Sequence, residues 1–274
     1  MENNRSRGHG FTLIELLTVI AILAILAALL LPALSSVKSL ARSTTCETHL
    51  HQIGLGLQMY VNEYNKYPSL RSLPDPSGTE PIEVEDGRWW WAKLEPYNPV
   101  KWKERRYHCP GYSGAITGTG SGHGPLGSYA YNAIGVRPPF AGWGNTIRYG
   151  SASLGLGPTL YVSIPSFRGP ATAEPQVRAP SEMLAIGESR FLSAQVNGIP
   201  GGRCDMTCGL LGWNVGRGPM EFAFDPARHG KNYNQLFCDG HVAGVNPWTL
   251  FNPTNSAPMW NYDHEPHPEL WPPE

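Results

Sequence analysis

The pattern of apolar and polar positions divides the chain into a long apolar segment and a mixed remainder. Residues 11–31 form an apolar run of 21 residues, FTLIELLTVIAILAILAALLL. At about 1.5 Å per residue, a helix of this length spans roughly 31 Å, the thickness of a bilayer's hydrocarbon core. The run therefore predicts one transmembrane helix. It is longer than the apolar region of an ordinary secretory signal peptide, which has about 7–15 residues.

A helical pattern continues beyond Pro32, because proline bends a helix without necessarily ending it. Apolar and aromatic residues recur there at intervals of three and four: Leu50, Ile53, Leu57, Tyr60 and Tyr64. This spacing is typical of an amphipathic helix with one buried face. Gly54 and Gly56 each weaken its intrinsic helicity by about 1 kcal/mol, so packing must hold it. We expect a stalk helix over residues 32–67, closed by Pro68.

Residues 68–274 are predicted to form a globular, β-rich head. Short apolar or aromatic runs alternate there with clusters of Gly, Pro, Asn and Ser, a pattern typical of short strands joined by long loops. The proline-rich tail after Trp248 is expected to wrap over the head in an extended form. Five strands are predicted, near Trp89–Leu94, Ser128–Ile134, Met183–Glu188, Asn234–Cys238 and His241–Val245.

Composition and charge narrow the function classes. Of the 274 residues, 41% are hydrophobic, and nine Trp and twelve Tyr can build a substantial core. Gly and Pro together make up about a fifth of the chain, which is below the share typical of unstructured chains. The formal net charge is −1 and no block of Lys or Arg occurs, so a nucleic-acid partner is not expected.

The charges around the apolar run predict its orientation. Arg5 and Arg7 precede the run, and the cytoplasmic flanks of membrane helices carry an excess of such residues. Lys38 and Arg42 follow the run and partly offset this bias. We expect the N-terminus to be cytoplasmic and the C-terminal bulk of the chain to be exported.

The junction in front of the apolar run reads Gly8-His9-Gly10-Phe11-Thr12-Leu13-Ile14-Glu15. It resembles the leader of type IV pilins and type II secretion pseudopilins, with a short basic leader, Gly at the cleavage site and Phe as the first mature residue. The resemblance implies that prepilin peptidase removes residues 1–10 by cleaving between Gly10 and Phe11. It also implies methylation of the new Phe11 amine, with the membrane helix left attached.

Glu15 places a carboxylate inside the predicted membrane helix. Such a group costs several kcal/mol unless it is paired, so it normally marks a functional contact. The resemblance implies that its partner is the cationic Phe11 terminus of a neighbouring subunit. This contact would set the register of the subunits during assembly.

The resemblance continues in the stalk and near the C-terminus. Stalk residues similar to those of pseudopilin-like proteins with a C-terminal H-x9-DG element are Cys46, Gln52-Ile53-Gly54-Leu55, Tyr60 and Tyr67-Pro68. The H-x9-DG element itself follows, since His229 is separated by nine residues from Asp239-Gly240. The resemblance implies a pilin-like α+β fold, in which the long N-terminal helix packs on a loop-rich antiparallel sheet.

The Asp239-Gly240 pair lies between two short apolar runs and predicts a tight hairpin turn of type I′. His229 could then hydrogen-bond the turn or a carboxylate and fix the last strands, which is the structural role we favour. The alternatives are a metal site formed with His241, because imidazole and carboxylate groups suit Zn²⁺ or Mn²⁺, and a catalytic role. A calcium site is a further alternative, although no loop spacing singles out its candidate ligands Asp205, Glu221 and Asp225.

Five cysteines occur, at positions 46, 109, 204, 208 and 238. An exported head lies in an oxidising compartment, so disulfide pairing is the default and the odd number leaves one thiol free. Cys204 and Cys208 form the favoured local pair, and Cys46 is the candidate free thiol. A zinc site that combines Cys204 and Cys208 with Cys109 or Cys238 is the alternative.

Trp89-Trp90-Trp91 raises the possibility of sugar recognition through aromatic stacking. Three adjacent residues in a strand point to alternate faces, so at least one of them should be buried. Core packing is therefore the favoured interpretation of this triplet.

The sequence as a whole predicts a structural subunit and not an enzyme, with no cofactor and no metal. The subunit would join a type II secretion or type IV pilus-like filament in the bacterial inner membrane, with its head in the periplasm or on an exported filament. The resemblance implies as partners prepilin peptidase, other pilin-like subunits and the assembly ATPase with its platform complex, and the apolar run adds the membrane. The alternatives are a minor tip subunit that binds polysaccharide or secreted cargo, and a membrane-anchored metalloenzyme that uses His229, Asp239 and His241.

Overall fold

The computed structural model describes residues 12–70, 89–118, 126–136, 154–157, 171–189, 191–196, 199–202, 205–208, 213–214, 218–219, 228–229, 232–250 and 252–270. The chain divides into two compact units, one that ends at Ala41 and one that starts at Arg42. These are called the first and the second unit below.

Helix α1, Leu13–Tyr64, begins in the first unit and ends in the second. In the first unit its large apolar side chains, from Leu13 to Leu40, are 45–79% exposed. Among the described residues, α1 is the one helix whose length and composition would allow it to cross a membrane. Pro32 lies inside α1 and does not end it, as the sequence predicts.

The second unit is built on a sheet. Its described strands are β1 (Tyr129–Val136), β2 (Leu184–Glu188), β3 (Phe191–Val196), β4 (Ile199–Gly202), β5 (Asp205–Cys208), β6 (Trp213–Asn214), β7 (Gly218–Pro219), β8 (Tyr233–Phe237) and β9 (Val242–Val245). Five of them form one sheet in the order β5-β1-β2-β8-β9. The four strands β1, β2, β8 and β9 pair antiparallel, and β5 joins β1 in parallel at the edge. The pairs β3–β4 and β6–β7 form separate antiparallel hairpins.

Short helices complete the second unit. They are α2 (Trp90–Leu94), α3 (Pro247–Leu250) and α4 (Pro253–Trp260), with 3₁₀ turns at Arg105–Tyr107, Glu174–Gln176 and Pro268–Leu270. Asn252 starts α4 because its side chain accepts a hydrogen bond from the Thr254 N–H, which is a typical N-cap. The Trp260 indole N–H donates to the Leu250 carbonyl oxygen and so ties α4 to α3.

Apolar side chains pack on both faces of the sheet, because successive side chains of a strand point to opposite faces. On one face, Tyr129, Tyr131 and Leu236 pack with the buried side chains of α1, which are Cys46, Leu50, Ile53, Leu57 and Val61. On the other face, Ala130 and Phe237 pack with Trp260 of α4. The sheet therefore lies between the second half of α1 and the C-terminal helices.

This architecture confirms the predicted α+β fold with a long N-terminal helix and an antiparallel sheet. The strands predicted after residue 128 are present, but the one predicted at Trp89–Leu94 is wrong. That segment forms the short helix α2, in which Trp90, Trp91 and Leu94 are all buried. Aromatic residues favour strands, and tertiary packing overrides this preference here.

Two further expectations are wrong in detail. The tail after Trp248 is not simply extended, because it contains α4. Tyr64 is 48% exposed and does not belong to the buried face of α1. The last buried side chain of that face is instead Val61, which follows Leu57 by four residues.

Candidate functional site

The start of α1 carries a capping box formed by Thr12 and Glu15. The Thr12 N–H and hydroxyl donate to Oε2 of Glu15 at 2.8 and 2.7 Å, and the Glu15 N–H donates to the Thr12 hydroxyl oxygen at 3.3 Å. Such reciprocal bonds satisfy backbone donors that the first turn of a helix leaves without partners. The Thr-x-x-Glu spacing signals this role in the sequence, and the sequence interpretation above missed it. Gly10 and Phe11, the predicted processing site, lie outside the described residues.

The Asp239-Gly240 turn is a three-residue loop, so the predicted type I′ turn is wrong. The Phe237 N–H donates to the His241 carbonyl oxygen at 2.9 Å, and the Gly240 N–H donates to the Phe237 carbonyl oxygen at 3.0 Å. Only Gly240 has a positive φ, of 94°, whereas a type I′ turn needs a positive φ at both central residues. The Asp239 carboxylate accepts from the His241 N–H at 3.0 Å and lies 2.6 Å from its Nδ1.

His229 does not join that turn. Its Nε2 lies 2.9 Å from Oε1 of Glu188 and 3.1 Å from Sγ of Cys109. In the described part of the chain, the metal-ligating groups that converge on His229 do not include Asp239 or His241. The structural contact predicted for His229 therefore has a carboxylate as its partner, and this carboxylate belongs to Glu188.

Glu188 is fully buried at the end of β2, opposite Tyr129 of β1. The backbone N–H of Asn234 donates to its Oε2 at 2.8 Å, and Nη1 of Arg228 lies 3.5 Å from its Oε1. Burial raises the pKa of Glu188, but the hydrogen bond to His229 and the positive charge of Arg228 outweigh burial and hold this pKa below its ordinary value. Glu188 is therefore a buried, ionised carboxylate.

Cys109 is positioned by its backbone and by its neighbours. Its N–H donates to the Ser128 hydroxyl oxygen at 2.9 Å, and the Gly111 N–H donates to its Sγ at 3.3 Å. The adjacent His108 is buried and accepts at Nδ1 from the Ser128 N–H at 3.1 Å. Burial lowers the pKa of His108 to about 4, so the ring is neutral and serves as a fixed acceptor. Together these contacts hold the thiol at one place in the interior.

Cys46 brings a second thiol to the same place from the buried face of α1. Its Sγ lies 3.5 Å from Oε1 of Glu188 and 3.4 Å from the Tyr129 hydroxyl. The ligand atoms of Cys46, Cys109, Glu188 and His229 all lie within 4.8 Å of one another. These four residues are called the buried cluster below.

The members of the buried cluster change one another's pKa values. The hydrogen bond to Cys46 lowers the pKa of Cys109 to about 7, and the bond to His229 adds to this effect against burial. Burial alone would lower the pKa of His229, but its bonds to Cys109 and Glu188 raise it to about 9. Burial is the main cause that raises the pKa of Cys46 well above its ordinary value. The cluster thus favours anionic sulfur at Cys109 and a positive partner beside it.

The other candidate residues are placed as follows. Trp89, Trp90 and Trp91 are all buried in the core, so the core-packing interpretation is confirmed. Cys46, Cys109 and Cys238 carry free thiols. The proposed Cys204–Cys208 pair falls outside the described side chains, and so do the candidate calcium ligands at 205, 221 and 225.

The sequence interpretation did not bring Cys46, Cys109 and Glu188 together. One signal was available for Cys46, which precedes Leu50 by four residues and so extends the buried stripe of the helix. Nothing in the sequence pattern links Glu188 to His229, because they lie 41 residues apart in different segments.

Two families match parts of the chain. Residues 5–31 match the prokaryotic N-terminal methylation motif, and residues 35–97 match a family described as a protein of unknown function (DUF1559). No curated protein and no solved structure matches the chain.

These matches show that the chain carries a type IV pilin-like prepilin signal. They support a pilin-like or pseudopilin subunit, and the apolar N-terminal helix fits a membrane-anchored protein of this kind. The second match covers the part of α1 that carries Cys46 and continues to α2.

Proposed function

We propose that the protein is a structural subunit of a type II secretion or type IV pilus-like filament. In this proposal prepilin peptidase cleaves between Gly10 and Phe11 and methylates Phe11, and the subunit assembles through α1. The observation that carries the proposal is the methylation motif over residues 5–31, which continues into a helix with exposed apolar side chains. An exposed apolar surface of this extent needs lipid or other subunits to cover it.

The same proposal sets the location and the partners. The subunit crosses the bacterial inner membrane once, with its N-terminus in the cytoplasm and its second unit in the periplasm or on an exported filament. Its partners are prepilin peptidase, other pilin-like subunits and the assembly ATPase with its platform complex. The Arg5 and Arg7 charges before the apolar run support this orientation.

We propose no catalytic activity for the chain. A metalloenzyme that uses His229, Asp239 and His241 lacks support, since Asp239 and His241 pair with each other in the turn while His229 contacts Glu188. The buried Trp triplet likewise gives no support to a sugar-binding tip subunit. The residues on which both alternatives were based make contacts within the fold instead: Asp239 with His241, His229 with Glu188, and the Trp triplet with the core.

The processing step is tested by N-terminal sequencing of the protein after expression with prepilin peptidase. We expect a mature chain that begins with methylated Phe11. Gly10→Val should block cleavage, because the residue before the scissile bond must be small, whereas the matched Gly8→Val should be processed. Normal cleavage of the Gly10→Val variant would contradict the proposed site.

The assembly step is tested at Glu15, which also caps α1. Glu15→Gln retains the side-chain acceptor of the capping box but removes the charge, whereas Glu15→Ala removes both. If the carboxylate pairs with the Phe11 terminus of a neighbour, both variants should insert and be processed but fail to form cross-linked oligomers. Normal oligomers from Glu15→Gln would show that capping, and not charge pairing, is what assembly requires.

A further inference from the structure

The buried cluster brings four metal-ligating side chains to one point from four separate segments. Cys46 comes from α1, Cys109 follows the 3₁₀ turn at Arg105–Tyr107, Glu188 ends β2, and His229 precedes β8. Their ligand atoms lie within 4.8 Å of one another, and each is buried or nearly so. Apolar packing alone does not require two thiols, a carboxylate and an imidazole to converge in a core.

We propose that Cys46, Cys109, Glu188 and His229 bind one zinc ion. Thiolate, imidazole and carboxylate are the ligands that Zn²⁺ takes in proteins, and four such ligands complete its tetrahedral shell. Bonds of about 2.0–2.3 Å place the ligand atoms of such a shell roughly 3.3–3.8 Å apart. Within the cluster, the separations of 2.9 and 3.1 Å are slightly shorter than that range and the one of 3.5 Å lies within it. All ligand atoms lie within 4.8 Å of one another, so small shifts of the side chains would bring the four to a tetrahedral arrangement.

The charges around the site balance when zinc is bound. Two thiolates, the Glu188 carboxylate and a neutral His229 bring three negative charges to a doubly charged ion, which leaves one negative charge. Arg228 is buried beside the site, with Nη1 3.5 Å from Oε1 of Glu188, and supplies the compensating positive charge. A neutral total matters because an uncompensated charge in a protein interior is costly.

Donors from the protein support the anionic ligands from outside the cluster. The Gly111 N–H points at Sγ of Cys109, and the Tyr129 hydroxyl lies 3.4 Å from Sγ of Cys46. The Asn234 N–H donates to Oε2 of Glu188, and Oε1 is the oxygen that contacts His229 and Cys46. Hydrogen bonds of this kind orient metal ligands and are a regular part of metal sites in proteins.

The site is structural in character. Four protein ligands leave no open position for a substrate or a water molecule, and the ligands are buried. Its role would be to fasten the Cys46 segment of α1 to the sheet within the second unit. The site differs from both zinc sites considered from the sequence. It shares only His229 with the set of His229, Asp239 and His241, and only Cys109 with the set built on Cys204 and Cys208.

The first experiment measures the metal content of the full-length chain purified in detergent with a tag that binds no metal. We expect inductively coupled plasma mass spectrometry to find about one zinc ion per chain. Cys46→Ser and Cys109→Ser should each lower the zinc content at least tenfold. Cys238→Ser is the matched control, since Cys238 is also a buried free thiol but lies outside the cluster, and it should retain the zinc.

Loss of zinc from a misfolded variant would not be informative, so the second experiment uses the wild-type chain. Removal of zinc with a chelator under reducing conditions should lower the unfolding temperature, and added Zn²⁺ should restore it. Cobalt added instead should give the visible and near-ultraviolet absorption of a tetrahedral thiolate site. Conservative Tyr129→Phe should weaken zinc binding about 10–100-fold while the fold is retained.

Two outcomes would overturn the proposal. One is that the purified wild-type protein carries less than about 0.1 zinc ion per chain and, after reduction, also fails to bind added Zn²⁺ or Co²⁺. The other is a disulfide between Cys46 and Cys109 in protein purified from the exported fraction, with no zinc present. Neither outcome bears on prepilin processing, so the proposed function and the zinc site stand or fall separately.

Discussion

The two parts of α1 share one helix but differ in where their apolar side chains find contacts. Up to Ala41 the large apolar residues are exposed, and Leu23 is an example at 58%. From Arg42 onward the apolar face packs on the sheet, and Leu57 is only 1% exposed. The first part is apolar on all sides, whereas the buried residues of the second part lie on one stripe and Leu55 and Met59 on its other side stay exposed.

This difference teaches that hydrophobicity alone does not say what will cover a helix. A helix that is apolar on all sides cannot be buried by one sheet, and in the described part of the chain these side chains are exposed. A striped helix is satisfied by one partner, and here that partner is the β1–β2–β8 face of the sheet. Substitutions in the two parts should therefore affect folding of the second unit very differently.

All nine Trp residues lie at position 89 or beyond, so their fluorescence reports unfolding of the second unit. The measurements below use the full-length chain in detergent and follow this signal in a denaturant titration.

The largest effect is expected at the buried carboxylate. Glu188→Ala removes the partner of Arg228 and His229 and leaves buried charge without compensation. We expect a loss of about 3–5 kcal/mol in the free energy of unfolding. Glu182→Ala is the matched control, since the Glu182 side chain is 65% exposed where it contacts His264, and it should change stability by less than about 0.5 kcal/mol. Equal effects of the two variants would contradict the view that the buried cluster organises the second unit.

The comparison within α1 is tested by one substitution in each part. Leu57→Ala should lower the free energy of unfolding by about 2–5 kcal/mol, because it opens a cavity against the sheet. Leu23→Ala changes the same side chain in the exposed part and should leave the fluorescence transition unchanged. A similar loss in both variants would mean that the exposed part of α1 also contributes to the stability of the second unit.

The close approach of α1 to the sheet is tested by two neighbouring glycines. A Cβ at Gly54 would lie 2.7 Å from Cδ1 of the buried Leu236, whereas a Cβ at Gly56 would meet its nearest neighbour, in Tyr97, at 3.6 Å. Alanine improves helix propensity by about 1 kcal/mol at either site. Gly56→Ala should therefore stabilise the second unit, and Gly54→Ala should be less stable than Gly56→Ala by about 1–2 kcal/mol. A Gly54→Ala variant that is more stable than Gly56→Ala would show that the Leu236 side chain moves aside at little cost.

The smallest effect is expected from Lys93 and depends on pH. Burial lowers the pKa of Lys93 to about 8, and the charge of Lys66 adds to this, while Nζ donates to the Ser69 carbonyl oxygen at 3.0 Å. Between pH 8 and about pH 10 the unfolded chain binds more protons at this site than the folded chain does, so stability should rise with pH. Because Lys93 is partly exposed, we expect a rise on the order of 1 kcal/mol relative to Lys93→Met.

The control for this measurement is Lys38→Met, which removes an exposed Lys from the first unit. Its stability should follow the wild-type pH profile between pH 8 and 10. Parallel profiles for the wild type and Lys93→Met would count against a partly buried, destabilised ammonium group at position 93.

The sequence predicted local structure well wherever one local pattern was sufficient. The apolar run predicts the exposed part of α1, and the spacing of Leu50, Ile53 and Leu57 predicts its buried face. Short apolar runs between turn signals predict β1, β2, β8 and β9. Each of these features depends on residues close together in the chain, where helical and strand periodicities leave a direct trace.

Other features depended on neighbours that the local pattern does not specify. Trp89-Trp90-Trp91 has the composition of a strand, yet contacts with Trp102 and Tyr131 place it in and beside a helical turn. The Asp239-Gly240 pair allows two kinds of hairpin loop, and the three-residue loop forms because Asp239 does not adopt the positive φ that a type I′ turn requires. In both cases packing selects one of several locally acceptable conformations.

The sequence by itself determined the prepilin signal, the apolar helix and the positions of the strands β1, β2, β8 and β9 along the chain. Only the tertiary structure decided that His229 contacts Glu188 and that Cys46 and Cys109 join them. The physical reason is sequence distance, since Cys46 and Glu188 are separated by 142 residues and meet only after α1 packs across β1 and β2. A local pattern records which face of an element is buried, whereas the partner of each buried polar group is fixed by how the elements pack.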